Sequence, residues 1–140
     1  MANEAVIITL LGNGGDPVNF SCMDGRTIEK GSILVLQDPI KVSGALTISK
    51  TEKFAGIAAH EKEASDGATT ISVYTHGIFD CYVGSCPAIT AGQMLVLSGA
   101  NALGIAVSGD GELGKVVGKA LESVAANTPE TIAVLIGAGA

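Results

Sequence analysis

The chain writes nearly the same phrase twice. IEKGSILVL (Ile28–Leu36) and ITAGQMLVL (Ile89–Leu97) carry Ile, Gly, Leu, Val and Leu in identical slots, displaced by 61 residues. Two further blocks echo at almost the same displacement. FAGIA (Phe54–Ala58) returns as VVGKA (Val116–Ala120) at 62, and TTISVYTHG (Thr69–Gly77) returns as ETIAVLIGA (Glu130–Ala138) at 61. Matched blocks in one order imply an internal duplication, with units at about 28–80 and 89–140. A unit of that length buries only about 60% of its unfolded surface and is marginal alone. Two copies related by a pseudo-twofold axis can close their open apolar faces on each other.

The units read as strands. The 19 glycines fall between short Val/Ile/Leu runs, as in many strands joined by tight turns. Each unit has a turn ending at Gly31 or Gly92, then a strand, ILVLQ or MLVLS. A second strand follows at ALTIS (Ala45–Ser49) or ALGIAV (Ala102–Val107). A third begins at FAGIAAHE or VVGKALES, a polar loop KEASDGA or VAANTPE comes next, and TTISVYT or TIAVLIG closes the unit. Gly111–Ala126 contains good helix formers, but its repeat partner FAGIAAHE does not, so the reading there is a strand beginning. GIFDCYV (Gly77–Val83) is expected to pair with the strand before it across the Thr75–Gly77 bend. Alternation puts Phe79, Cys81 and Val83 on one face, and Ile78, Asp80 and Tyr82 on the other.

The expected fold is therefore all-β: a small barrel or sandwich built from two sequence-related β units, with an extended N-terminal arm. Residues 28–140 form a single β domain, and residues 1–27 form the arm and hinge. Within the arm, EAVIITLL (Glu4–Leu11) reads as a strand and GNGGDP (Gly12–Pro17) as a hinge. VNFSC (Val18–Cys22) alternates like a short strand, and Asp24-Gly25 makes a turn. An apolar strand on a glycine hinge, held away from the body, is suited to adding itself to another chain's sheet edge.

Charge and reactive residues narrow the function. A net charge of −6 with eight Lys and Arg opposes nucleic acid and anionic membrane surfaces as partners. The first apolar stretch is preceded by Glu4 and no basic residue, unlike a secretory signal, so synthesis and use without Sec export are expected. Cys22, Cys81 and Cys86 read as free thiols of a reducing cytoplasm. The alternatives are a Cys81–Cys86 disulfide across a turn, or a ligand set of the three with His76, although CYVGSC is not a zinc-knuckle spacing. GNGGD lacks the Lys-Ser/Thr of a phosphate loop. His60 sits beside charge at a strand end and His76 at a bend, neither at a recognisable spacing from a nucleophile. Asp-Gly pairs at 24–25, 66–67 and 110–111 are explained by turns, and SGDGELG (Ser108–Gly114) has too few oxygens for a calcium loop. No catalytic, cofactor-binding or metal-binding residue is assigned, and the protein is expected not to be an enzyme.

GDPVNFSCMDGRTIEKGSILVLQDP, FAGIAAHEKEASDGATTISVYTHGIFD, AITAGQMLVLSGAN and VVGKALES together resemble the capsid decoration (cement) proteins of tailed bacteriophages and related viruses, over residues 14–137. The resemblance implies a β-rich protein without enzymatic activity, made in the host cytoplasm, that sits on the outer surface of the assembled shell. The implied partner is the major capsid protein, with the cement subunits trimeric at threefold or quasi-threefold positions. In such proteins the N-terminal arm commonly touches the shell. The matching segment here is Ala2–Phe20, with Ala2, Glu4, Val6, Ile8, Leu10, Leu11, Asn13, Asp16, Val18 and Phe20 as the candidate contacts. The competing reading is a virion-surface head-fibre base or a carbohydrate- or receptor-binding module. That module needs exposed aromatics for stacking, whereas strand alternation should bury at least two of Phe20, Phe54, Tyr74, Phe79 and Tyr82.

Overall fold

The computed structural model describes residues 3–9, 17–37, 41–44, 53–106 and 115–137, and these are all-β, with no helix among them. Eleven strands occur among the described residues: β1 (Val6–Thr9), β2 (Val18–Cys22), β3 (Ile33–Gln37), β4 (Lys41–Gly44), β5 (Phe54–Ala58), β6 (Thr70–Tyr74), β7 (Gly77–Val83), β8 (Met94–Gly99), β9 (Ala102–Ile105), β10 (Val116–Ala120) and β11 (Glu130–Ile136).

Each unit closes on itself. Strands β2-β4-β3-β5-β6 form one closed barrel, and β7-β9-β8-β10-β11 form a second, with β1 added to the side of β7. The fold is thus a pseudo-twofold pair of like-wound units, and closure happens within each unit, not between two half-barrels. The registers coincide over most pairs, apart from a shift between Leu97 and Gly99 on β8–β9 that β3–β4 lacks. Val18↔Val73 on β2–β6 matches Phe79↔Val134 on β7–β11, and Leu34↔Gly44 on β3–β4 matches Leu95↔Ile105 on β8–β9. The irregularity where β3 meets β5, at Leu34/Val35, recurs where β8 meets β10, at Val116/Gly118. Both barrels close through a parallel contact of two residue pairs, Ser21↔Lys41 and Cys22↔Val42 in one, Tyr82↔Ala102 and Val83↔Leu103 in the other.

Turn chemistry repeats as well. Gly31 and Gly92 adopt φ of 85° and 99°, which a side chain resists, just where the repeated phrase begins its strand. Their N–H groups donate to Ala58 O (2.9 Å) and Ala120 O (2.7 Å) at equivalent points. Gly56 and Gly118 are required for a different reason. A Cβ on Gly56 would meet Tyr74 O at 2.5 Å, and one on Gly118 would strike the Leu135 carbonyl on the neighbouring strand.

Two sequence expectations change. β7 does not pair with β6; it opens the second barrel, pairing with β11, β9 and β1. β2 is a wall of the first barrel, pairing with β6 and β4. The second strand of the first unit is Lys41–Gly44, and ALTIS (45–49) lies outside the described residues, as do most of the GNGGDP hinge (12–16) and SGDGELG (108–114). The alternation read in β7 holds: Phe79, Cys81 and Val83 are buried, while Ile78, Asp80 and Tyr82 are half-buried. Cys22 and Cys81 are buried and Cys86 half-buried, and all three are free thiols. Burial, with the Asp80 charge adding to it, pushes the Cys81 thiol up to about 12, so it stays protonated and inert.

The two barrels share apolar contacts. Leu34, Val42, Ala58, Ile71 and Val73 fill the first barrel. Ile33, Val35 and Ile57, on the other face of β3 and β5, join Phe79, Cys81, Leu95, Leu97, Ile132 and Val134 in a larger cluster that spans both units. This is why the first three residues of ILVLQ are all buried: that part of the strand is covered on both faces. One polar tie crosses the same boundary. Asn101, fully buried and at φ 54°, accepts a 2.8 Å bond on Oδ1 from the Ile33 N–H.

The units differ in charge at the bridge that opens each repeated phrase. Ile28 and Lys62 form a bridge in the first unit, and Ile89 and Val124 form its counterpart in the second. Val124 is ordinary core, whereas Lys62, only 2% exposed, is a buried cation. Its Nζ donates to Asp24 O (2.8 Å), Asp24 Oδ1 (3.2 Å), Glu63 O (3.0 Å) and Asp66 Oδ1 (3.0 Å). Burial opposes the ammonium, but the bonds to Asp66 and Asp24 outweigh it and raise its pKa above the ordinary value. The Ala68 N–H, then Lys62, hold the Asp66 carboxyl below its ordinary value. The same carboxylate accepts at Oδ2 from the Glu63 N–H (3.3 Å), so the cation staples a loop made of 24–27 and 62–68.

Three outcomes are expected. Asn101→Ala leaves the Ile33 N–H buried without its acceptor and should cost about 1–3 kcal/mol in urea unfolding. Gly118→Ala should cost about 2–3 kcal/mol through overpacking against Leu135, whereas Ala substituted for the exposed Gly25, which has open space around it, should cost far less. Because the Asp66 pKa is depressed on folding, its contribution is complete above the ordinary 3.8 and is lost as pH falls below it. The raised Lys62 pKa makes its contribution complete below 10.5 and lost only above that. The melting-temperature gap between wild type and Asp66→Asn should therefore be flat across neutral pH and shrink below pH 3.8.

Candidate functional site

Among the described residues, the densest polar group is the Lys62–Asp24–Asp66 staple, and its hydrogen bonds are directed at its own loop. A shallow polar recess beside it is lined by Asn19, His60, Glu61 and Thr70 among others. His60 is exposed, and His76 is exposed with Nδ1 3.1 Å from Thr75 Oγ1. No cluster of three or more His, Cys, Asp or Glu able to hold a metal occurs among the described residues. No helix there is long and apolar enough to cross a membrane.

The distinctive surface is apolar and lies where the chain starts. β1 runs antiparallel to β7 with Val6↔Asp80, Ile7↔Phe79 and Thr9↔Ile78. Before it, Ala5 is buried and its N–H donates to Gly31 O of the first barrel at 2.6 Å. The start of the chain thus lies against both units, not hinged away from them. Val6 and Ile8 are 61% and 49% exposed, and the ladder to β7 is irregular between Ile7 and Thr9. By register, Val6 sits beside Asp80, with half-buried Ile78 and Leu135 on the same outer face of β7 and β11. With Glu4, Val6, Lys30, Ile57, Tyr74 and Phe79, Ile7 lines a groove of about 360 Å³ between the arm and the first barrel. Val6 and Ile8 are exposed branched side chains on a short strand next to half-buried Ile78.

The arm residues expected as contacts do not all fall together. Glu4, Val6 and Ile8 lie on or beside β1. Val18 and Phe20 lie on β2, where Val18 is 49% exposed and Phe20 half-buried. Ala2, Leu10, Leu11, Asn13 and Asp16 lie outside the described residues. Sequence reading missed Ile78 and Leu135 as companions of Val6 and Ile8. The outward position of Ile78 was legible in GIFDCYV, but its neighbour across the sheet was not.

The aromatics are poorly placed for stacking on a ligand. Phe79 is fully buried, and its ring packs 5.8 Å from that of half-buried Tyr74. Phe20, Phe54 and Tyr82 are half-buried too.

Comparison with curated proteins returns no match. A family model describing phage cement proteins matches residues 13–136, which takes in both barrels. With a match over most of its length, the chain belongs to the phage cement protein family, and its role is decoration of a phage capsid.

Proposed function

We propose that this protein binds the outer surface of the assembled shell and stabilises it by bridging subunits of the major capsid protein, as a homotrimer at threefold or quasi-threefold positions. The observation that carries this reading is the exposed Val6–Ile8 stretch of β1, next to Ile78, in a protein of the cement family. A subunit that binds the expanded lattice and not its precursor stabilises that lattice by mass action. Each contact can be weak, because several engaged at once raise avidity by orders of magnitude. The net charge of −6 keeps decorated particles apart in solution and repels nucleic acid.

We propose a non-enzymatic role, since the one buried cation among the described residues is held by its own loop. The stretch Ala2–Phe20 is proposed as the shell-contacting segment, with its apolar side chains as the anchors. Half-burial of the aromatics speaks against the carbohydrate-binding alternative.

The test must spare β2. Removing residues 1–20 would take Val18–Phe20 out of the first barrel, so a deletion of 2–9 is the informative truncation. This variant and Val6→Asp/Ile8→Asp are mixed with purified expanded and unexpanded shells and pelleted. Wild type should decorate expanded shells alone, and both variants, folded by circular dichroism, should bind at least about tenfold more weakly, since about 1.4 kcal/mol of lost contact is tenfold. Undiminished decoration by the double variant would rule out β1 as the anchor.

A further inference from the structure

The two barrels share a turn but not what lies on it. Gly31 and Gly92 stand at equivalent points, with φ of 85° and 99° and N–H groups that donate to Ala58 O and Ala120 O. A Cβ on Gly92 would meet nothing within 4 Å among the described residues. A Cβ on Gly31 would meet Ala5 O at 2.6 Å and Glu4 Cβ at 2.7 Å, closer than a side chain can come. The bare Cα at Gly31 is therefore what lets the start of the chain lie against the turn.

That close approach makes a bond. The Ala5 N–H donates to Gly31 O at 2.6 Å, and Ala5 is buried in the apolar cluster that spans both units. One residue later the chain joins the second barrel, with Val6 opposite Asp80 and Ile7 opposite Phe79. Residues 4–9 thus form a strap, held to the first barrel at Gly31 and to the second along β7. Beyond the seat, a groove of about 360 Å³ lies between the strap and the first barrel. The exposed stretch, Val6–Ile8, begins directly after the buried residue that makes the bond.

We infer that Gly31 is a positioning residue for shell binding: it seats the strap on the first barrel and so holds Val6–Ile8 in place before a shell is met. The inference rests on the reading of β1 as the shell contact. A contact strip ordered in advance loses little conformational freedom on binding, whereas a loose one must be ordered at every encounter and binds more weakly. Gly92, with the same backbone conformation and no strap upon it among the described residues, has no such role.

The duplication supplies its own control. Gly31→Ala and Gly92→Ala both force a side chain into positive φ, so that cost is common to the two, and only Gly31→Ala pushes on the strap. Amide hydrogen exchange on the full chain, without shells, should show the Ala5 and β1 amides of Gly31→Ala exchanging at least about tenfold faster than those of Gly92→Ala. Pelleting with expanded shells should show Gly31→Ala binding about tenfold more weakly and Gly92→Ala binding like wild type. If Gly31→Ala does not fold, Ala5→Pro takes its place. It removes the donor N–H, leaves the turn intact and should loosen β1 to the same extent. Equal exchange of the β1 amides in the strap variant and Gly92→Ala would overturn the inference. So would a loosened strap that binds shells like wild type while Val6→Asp/Ile8→Asp binds weakly. Undiminished binding by that double variant marks failure of the shell-contact reading instead, and the exchange comparison still decides whether Gly31 seats the strap.

Discussion

The architecture depends on a small contact. In each barrel the five strands become a closed wall only where a parallel pair, β2 with β4 or β7 with β9, meets over two residue pairs. Every other pairing within the barrels is antiparallel and could exist in an open sheet. The parallel contact forces the strands into a tube whose inward residues (Leu34, Val42 and Val73 in the first barrel, Leu95, Leu103 and Val134 in the second) can reach one another. On β7 that contact takes in only Tyr82 and Val83, and β1 pairs with the same strand at Ile78–Asp80.

The second barrel and the shared cluster hold most of the buried apolar surface. Ile33, Val35 and Ile57 turn outward from the first barrel into that cluster, so the first unit contributes to two cores at once. Duplication followed by divergence shows at these positions. Ile57 pairs with Tyr74 at the register point where the second unit pairs Lys119 with Leu135, apolar where the units meet and charged where that strand faces outward. At the Ile28 bridge the exchange runs the other way. Lys62 holds a loop together by charge-assisted bonds where Val124 does so by packing. Both solutions keep the same backbone bridge, with N···O distances of 2.7–2.9 Å.

Function follows from what the fold leaves uncovered. Two of the buried polar groups are used within the fold, Asn101 by the Ile33 N–H and Lys62 by the 62–68 loop. The Val6–Ile8 strip faces out. For a protein that decorates a capsid, the double barrel supplies a body closed on itself, and the outward strip is its proposed contact.

The repeated phrase, the Gly31 and Gly92 turns, the all-β class and the inward residues of β7 were legible in the sequence, because a strand's two-residue period and a glycine's positive φ are local properties. That VNFSC and FDCYV are the same strand was not legible. They share no residue in register, and their equivalence exists only as a common pairing with β6 and β11. For that reason the reading paired GIFDCYV with its chain neighbour and set VNFSC in the arm. Closure within a unit, Asn101 reaching Ile33 across 68 residues, and Lys62 standing in a valine's place were decided by tertiary structure alone. Each of these depends on which surfaces meet after the chain has folded, and no local periodicity encodes that.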